Sequence, residues 1–196
     1  MNNIILSGTV LSIEKSHEIY GEKFYKAILS SERSSGNCDE LICIVPECYK
    51  ESFAEGCKSA FHGEIRTRNI YDGDMRRVDT YVFVDEIVDY LGTDENFVEM
   101  VGYVCNEAKT RETPFGRIIS DVLIASNRER SNKSDYIHCI AWGRNAVRIP
   151  FLKKGTKIFA KGRFQSRNYI KKHDDGTEEQ KTAYEISIST FVELEE

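Results

Sequence analysis

Residues 135–144, DYIHCIAWGR, alternate in polarity and match a second stretch, residues 39–48, DELICIVPEC. In an extended strand, alternate side chains point to opposite sides. One side of 135–144 is small and apolar, as a side that faces a core should be: Ile137, Cys139 and Ala141. The other side carries rings and a histidine: Tyr136, His138, Ile140 and Trp142. Residues 39–48 keep the apolar side but lack every ring, so the two stretches predict similar strands with different outward faces.

The likeness between these stretches is part of a repeat that covers most of the chain. Residues 21–33 lie over 116–128, residues 39–47 over 135–143, and residues 55–69 over 154–168. The offset grows slowly from 95 to 99, which is typical of small insertions in loops. We therefore predict two copies of one domain, residues 1–91 and 92–196, with the polar segment 89–96 between them.

Both copies show the same order of predicted elements. Runs rich in Val, Ile, Phe and Tyr, bounded by turn residues, predict five strands in each copy. The strands fall at 4–13, 24–31, 40–45, 58–68 and 80–88, and again at 97–105, 118–126, 136–142, 157–168 and 183–192. A short helical pattern follows the third strand, at 48–54 and at 145–152. This order is that of an oligonucleotide/oligosaccharide-binding (OB) barrel, so the predicted fold is all-β with two tandem five-stranded OB-fold barrels.

Charge is distributed unequally between the two copies. The chain of 196 residues has a net charge of −5, which argues weakly against a nucleic-acid partner. Residues 1–94, however, carry 10 Lys and Arg against 17 Asp and Glu, whereas residues 95–196 carry 17 against 15. The second copy is thus the better candidate for contact with a polyanion.

Several classes of protein receive no support. We see no signal peptide and no apolar run long enough to span a bilayer, so we expect a cytoplasmic protein. None of the six cysteines forms a CxxC pair. We expect them to be reduced and mostly small core residues, with no metal and no cofactor. The histidines are scattered, and no P-loop or GxSxG motif is present, so we do not expect an enzyme.

Four stretches of the second copy resemble the bacterial single-stranded DNA-binding protein (SSB) family. They are RETPFGRIISDVLIASNR (111–128), DYIHCIAWGRNA (135–146), FLKKGTKIFAKGRFQSRNY (151–169) and TAYEISISTFVEL (182–194). They occur in the family's order and with family-like spacing. The first copy resembles the family mainly through its likeness to the second.

The resemblance implies a set of DNA-binding residues. The rings that would stack on bases are Tyr136, Trp142 and Tyr169. Phe115, at the tip of the TPFG hairpin, has no aromatic counterpart in the family and is a weaker candidate. The basic positions that would contact phosphates are Arg111, His138, Arg144, Lys154 and Arg167. Arg128 lies in an Asn-Arg pair common among relatives. His138 stands where the family usually has Arg, and an ordinary histidine carries little charge at neutral pH.

These residue types suit binding to single strands without sequence preference. A base stacked on an aromatic ring contributes about 1–3 kcal/mol. Cations that follow the phosphates release counterions, which makes binding depend on salt. Tyr136 and Trp142 are six residues apart, which is about 20 Å along a strand. The predicted function is therefore non-catalytic single-stranded DNA binding in replication, recombination or repair.

The first copy lacks most of these residues. Pro46 lies over Trp142, Glu40 over Tyr136, and Ile70 over Tyr169. We therefore interpret the first copy as a degenerate barrel kept for assembly or partner contact. This leaves a second reading open, that of an OB-fold interaction module of a replication or mobile-element complex with weak DNA binding. RNA also remains a possible ligand, because OB barrels stack RNA bases too.

The resemblance also bears on assembly. Family members commonly bring four barrels together, so a chain with two barrels implies a homodimer. The chain ends STFVELEE soon after the last predicted strand, and we do not expect recruitment of other proteins through a tail.

Overall fold

The computed structural model describes residues 1–73, 75–113, 115–129, 131–172 and 176–195. The first copy forms one barrel of five strands. They are β1 (Asn2–Ile19), β2 (Glu22–Glu32), β3 (Cys38–Pro46), β4 (Lys58–Asp72) and β5 (Met75–Val88). The strand order is β2-β3-β5-β4-β1, and β1 also pairs with β2, which closes the barrel. A 3-10 helix, Glu47–Phe53, connects β3 to β4 and buries Phe53.

The second copy repeats this barrel with one more short strand. Its strands are β6 (Asn96–Val104), β7 (Lys109–Glu112), β8 (Ile118–Asn127), β9 (Ser134–Trp142), β10 (Lys157–Lys172) and β11 (Glu178–Glu193). Helix α1 (Arg144–Arg148) and a 3-10 turn, Ile149–Phe151, follow β9. The β6–β8 pairing closes this barrel, and β9 and β11 run parallel. The predicted fold of two tandem OB barrels, each with a helical connection after its third strand, is confirmed.

The two barrels are joined by a seam between their first strands. Strand β1 pairs antiparallel with β6, from Asn2 opposite Met100 to Leu6 opposite Asn96. Strands β4 and β10 flank this seam, so the sheet runs without a break from one barrel into the other. The buried apolar residues of both barrels also form one contiguous cluster.

Glycine allows β4 and β5 to cross closely in the first barrel, and β10 and β11 in the second. A Cβ at Gly63 would lie 2.3 Å from the carbonyl oxygen of Phe83, and a Cβ at Gly162 would lie 2.2 Å from that of Ser187. Both glycines sit at a β-bulge in the β4–β5 or β10–β11 ladder. Since no side chain fits there, these positions fix the bend that curls the sheet into a barrel.

The segment between the copies is held against the first barrel. Asp94 accepts hydrogen bonds from the Lys58 ammonium at 2.6 Å, the Tyr90 hydroxyl at 3.0 Å and the Glu32 N–H at 3.0 Å. Burial alone would raise the pKa of Asp94, but these donors outweigh it and hold the pKa below its ordinary value.

All six cysteines are free, but only Cys43 and Cys139 are buried, so the expectation that most lie in the core was wrong. The others lie on outward positions or in turns, which their type alone did not reveal.

Among the described residues, no helix is long and apolar enough to cross a membrane.

Candidate nucleic-acid interface

Strand β9 presents two rings on its outward face. Tyr136 is 52% exposed and Trp142 is 38% exposed, with the exposed His138 between them. Ile140 shares this face but is buried at its position between Asp121 on β8 and Ser187 on β11. The outward face therefore carries two separate ring sites rather than a continuous apolar stripe.

Gly143 explains the abrupt end of this strand. Its φ of +55° lies in the left-handed region, which a residue with a Cβ rarely adopts. The chain can therefore turn directly from Trp142 into helix α1. Arg144, the first residue of α1, is exposed and follows the ring by only two positions.

A cleft of about 900 Å³ lies between the outward faces of the two barrels. His138, Arg167 and Tyr169 line it from the second barrel. The Arg167 guanidinium lies 5.7 Å from the centroid of the Tyr169 ring. It also donates to the buried carboxylate of Glu185 at 3.3 Å. The cleft thus combines a ring with a cation that is only half-exposed and already has one anionic partner.

The opposite wall of the cleft belongs to the first barrel. Arg68 and Arg77 each lie 3.4 Å from Asp79, so two guanidinium groups share one carboxylate. Arg68 also lies 5.8 Å from the centroid of the Tyr81 ring, and Lys26 lines the same wall. The sequence alone does not indicate Tyr81 or Lys26, because this wall forms only when β2, β4 and β5 of the first barrel face the second.

A second depression, of about 520 Å³, lies beside Trp142. It is lined by the following residues: Gly116, Ile118, Gly143, Arg144, Val147 and Arg148. Phe115 at the neighbouring turn is 91% exposed. Of the ten residues that the sequence singled out, Arg144 is the one that lines this depression.

The remaining three basic residues do not line either depression. Arg111, on β7, donates to the Asp121 carboxylate at 2.8 Å. Arg128 makes two hydrogen bonds of 2.7 Å to Asp135, and this pairing raises the pKa of its guanidinium. Lys154 is exposed near Cys105, whose thiol pKa is raised by burial and lowered in part by the Lys154 charge. Arg128 thus forms a structural ion pair with Asp135, and few of its N–H groups are left to bind a phosphate.

The outward face of β3 in the first barrel differs as the sequence indicates. Glu40 is exposed, Ile42 is half-buried, and Ile44 and Pro46 are buried. Phe24 on β2 lies opposite Pro46 in the ladder and stacks against His17 at 5.0 Å. Strand β3, which the structure describes in full, carries no exposed ring, so it has no counterpart of the Tyr136 and Trp142 sites.

Comparison with known proteins places these features in a family. The model of the single-strand binding protein family matches residues 95–194. Single-stranded DNA-binding protein A of Bacillus subtilis is 38% identical over 80 residues, which are 38% of this chain and 46% of that protein. Single-stranded DNA-binding protein 2 of Listeria monocytogenes is 35% identical over 80 residues, covering 38% of this chain and 50% of that protein. The match spans about half the length of these relatives.

Solved structures extend the likeness to both barrels. The crystal structure of wild-type single-stranded DNA binding protein from Thermus aquaticus has a TM-score of 0.78 at 16% identity, and the superposition covers 100% of this chain and 94% of that one. A deletion mutant of the same protein has a TM-score of 0.76 and is covered to 95%. At this identity the likeness establishes the fold alone. Because the family model covers just over half of the sequence, the chain belongs to the single-strand binding protein family.

Proposed function

We propose that this chain binds single-stranded DNA without sequence preference and without catalysis, in replication, recombination or repair. The observation that carries the proposal is the outward face of β9, where Tyr136 and Trp142 are exposed beside His138 and Arg144. Flat rings next to cations are what unpaired bases and their phosphates require. The printed names of the relatives, all single-stranded DNA-binding proteins, support the same reading.

In this proposal the strand follows β9 and enters the cleft between the barrels. Bases stack on Trp142, Tyr136 and Tyr169, while Arg144 and Arg167 meet phosphates. Arg167 can exchange Glu185 for a phosphate because its side chain is 44% exposed. Arg111 and Lys154 add charge at the border, and Phe115 offers a further ring at its turn. We assign Arg128 to structure, because its hydrogen bonds are taken by Asp135 and by the Thr67 carbonyl.

We further propose a homodimer that brings four barrels together. The outward face of the seam is apolar and partly exposed, with cross-strand neighbours Ile5 and Phe97, and Val101, Phe159 and Val192. Lys161 lies over Phe97 at 5.7 Å and over Phe159 at 5.3 Å. A sedimentation or light-scattering mass of twice 22.5 kDa would support the dimer, and Phe97→Glu should then return the monomer. The domain boundary between residues 91 and 92 is part of this proposal.

A second candidate function is that of an interaction module with weak DNA binding. It is favoured by the excess of acidic residues in the first half, 17 against 10 basic ones. The apolar depression at Ile118 and Val147 offers a surface for a protein partner.

Fluorescence titration separates the two candidates, because Trp142 is the only tryptophan of the chain. Oligo(dT) should quench it strongly, and the affinity should fall as salt rises. Duplex DNA and oligo(rU) serve as competing ligands, and equal binding of oligo(rU) would extend the function to RNA. Tyr136→Ala should weaken binding, whereas Phe151→Ala, which removes an exposed ring outside both depressions, should not. If oligo(dT) produced neither quenching nor a gel shift, the proposal would be refuted and the interaction module would be favoured.

A further inference from the structure

Two buried aspartates link the barrels to each other. Asp39 and Asp135 are both fully buried and stand at the starts of β3 and β9, which correspond in the two copies. Each carboxylate pairs with an arginine of its own barrel and also accepts hydrogen bonding from the other barrel, Asp135 from Thr67 on β4 and Asp39 from Ser166 on β10. We call Arg128, Asp135 and Thr67 the second clamp, and Arg33, Asp39 and Ser166 the first clamp.

The second clamp brings the first barrel to the start of β9. Asp135 accepts from the Thr67 N–H at 2.6 Å and from the Thr67 hydroxyl at 3.2 Å. Arg128 grips the same carboxylate with two hydrogen bonds and donates to the Thr67 carbonyl oxygen at 3.3 Å. The Thr67 hydroxyl, which donates its proton to Asp135, accepts from the Tyr136 N–H at 3.2 Å.

The first clamp repeats this arrangement with the barrels exchanged. Asp39 pairs with Arg33 and accepts from the Ser166 N–H at 2.9 Å. The Ser166 hydroxyl accepts from the Glu40 N–H at 3.1 Å. Corresponding residues of the two clamps are 95, 96 and 99 positions apart, the same offsets that relate the two copies. The clamps are therefore built into the repeat.

The Thr67 hydroxyl compensates for a gap in the sheet. Strand β9 pairs with β8 along its length, but on its other side it pairs with β11 only at Cys139–Ala141. Tyr136 lies before that short ladder, so none of the described strands of its own barrel pairs with it on this side. A backbone N–H without an acceptor would leave this end of β9 weakly held. Thr67 supplies the acceptor from the other barrel.

We propose that Thr67 of the first barrel is a positioning residue for DNA binding by the second, because it fixes the backbone that carries the Tyr136 ring. The inference rests on the proposed function. It gives the first barrel a role that does not require rings of its own, which is to hold the ring site of its neighbour. In the first clamp the corresponding position, Glu40, carries no ring, so the same bond has no such effect there.

The test uses the full-length chain and oligo(dT) titration. Thr67→Val keeps the shape of the side chain and the backbone bond to Asp135 but removes the hydroxyl, which accepts from Tyr136 and donates to Asp135. We expect affinity to fall about 3- to 10-fold, the usual effect of one lost hydrogen bond. Thr67→Ser, which keeps the hydroxyl, should bind as the wild type does. Since phosphate contacts are untouched, the slope of affinity against salt should stay unchanged in both.

Two further readouts separate positioning from loss of stability. In a Tyr136→Ala background, Thr67→Val should cost less than about twofold, because residues that act through one another are not additive. Ser166→Ala makes the matched change in the first clamp and should be additive with Tyr136→Ala. Amide hydrogen exchange at Tyr136 should accelerate in Thr67→Val and not in Ser166→Ala.

The outcomes are distinguishable. Equal binding by wild type and Thr67→Val, or full additivity with Tyr136→Ala, would overturn the inference while leaving DNA binding intact. A wild-type chain that does not bind oligo(dT) would refute the proposed function, and the positioning role would fall with it.

Discussion

Replacing Asp135 by asparagine should destabilise the chain far more than its single lost charge suggests. The carboxylate is fully buried and accepts four hydrogen bonds, two from Arg128 and two from Thr67. An asparagine side chain at this position would be similar in shape but would turn an amide NH₂ toward groups that are themselves donors. The substitution would also leave the Arg128 guanidinium without a counter-charge.

The size of the effect follows from the burial of both partners. Removing one partner of a buried ion pair costs about 3–5 kcal/mol. The Arg128 side chain is 22% exposed, so water recovers part of its solvation. We therefore expect a loss of about 2–4 kcal/mol in the free energy of unfolding. For a chain of this size, a loss of about 3 kcal/mol corresponds to a fall in Tm of about 6–12 °C.

Urea unfolding measures this loss directly, provided that the m-value stays the same. Asp39→Asn, the equivalent change in the first clamp, should cost a similar amount. Asp89→Asn removes a carboxylate that is exposed, and should stay within about 0.5 kcal/mol of the wild type. If Asp135→Asn also stayed within about 1 kcal/mol, the clamps would not hold the barrels together as argued.

Four other predictions concern pH, packing and the DNA site. The depressed pKa of Asp94 stabilises the fold above pH of about 4 and loses that effect as pH falls through the folded value. In Asp94→Asn the free energy of unfolding should therefore fall less steeply as pH is lowered. An unchanged dependence on pH would count against the Lys58 pairing. Gly162→Ala should cost at least about 2 kcal/mol because the new Cβ meets a backbone carbonyl; a neutral result in urea unfolding would contradict that close approach. Tyr136→Ala should lower oligo(dT) affinity about 5- to 150-fold, the worth of one stacked base, at constant salt slope. Arg144→Ala should instead reduce that slope by about one, and equal slopes would remove Arg144 from the phosphate path.

Sequence patterns predicted the strands well, because the alternation of apolar and polar residues shows which side of a strand is buried. That pattern is local to each strand. The helical connections were also predicted, at positions within a few residues of Glu47–Phe53 and Arg144–Arg148. Strand β7 was not. Its four residues, KTRE, are all exposed, so they show no alternation that a pattern could detect.

The contacts between barrels were harder to predict, since they join residues far apart in the chain. Thr67 and Asp135 are 68 positions apart, and nothing local to either indicates the other. A signal was nevertheless present in the repeat. The Arg and Asp of both clamps persist in both copies, whereas Tyr136, Trp142, Tyr169 and Arg144 of the DNA site have no like residue in the first copy. Polar residues retained by both halves of a diverged repeat point to a shared structural task.

The β1–β6 seam has a consequence for synthesis on the ribosome. The segment Asn2–Leu6 pairs with β6, whose first residue, Asn96, emerges about 90 residues after Leu6. At usual translation rates the partner strand β6 follows roughly 5–18 s after Asn2–Leu6 has been synthesised, and this strand edge stays open until then. An open edge of this kind recruits other strands. A fragment that ended before β6 would keep the edge permanently, and we would expect it to aggregate.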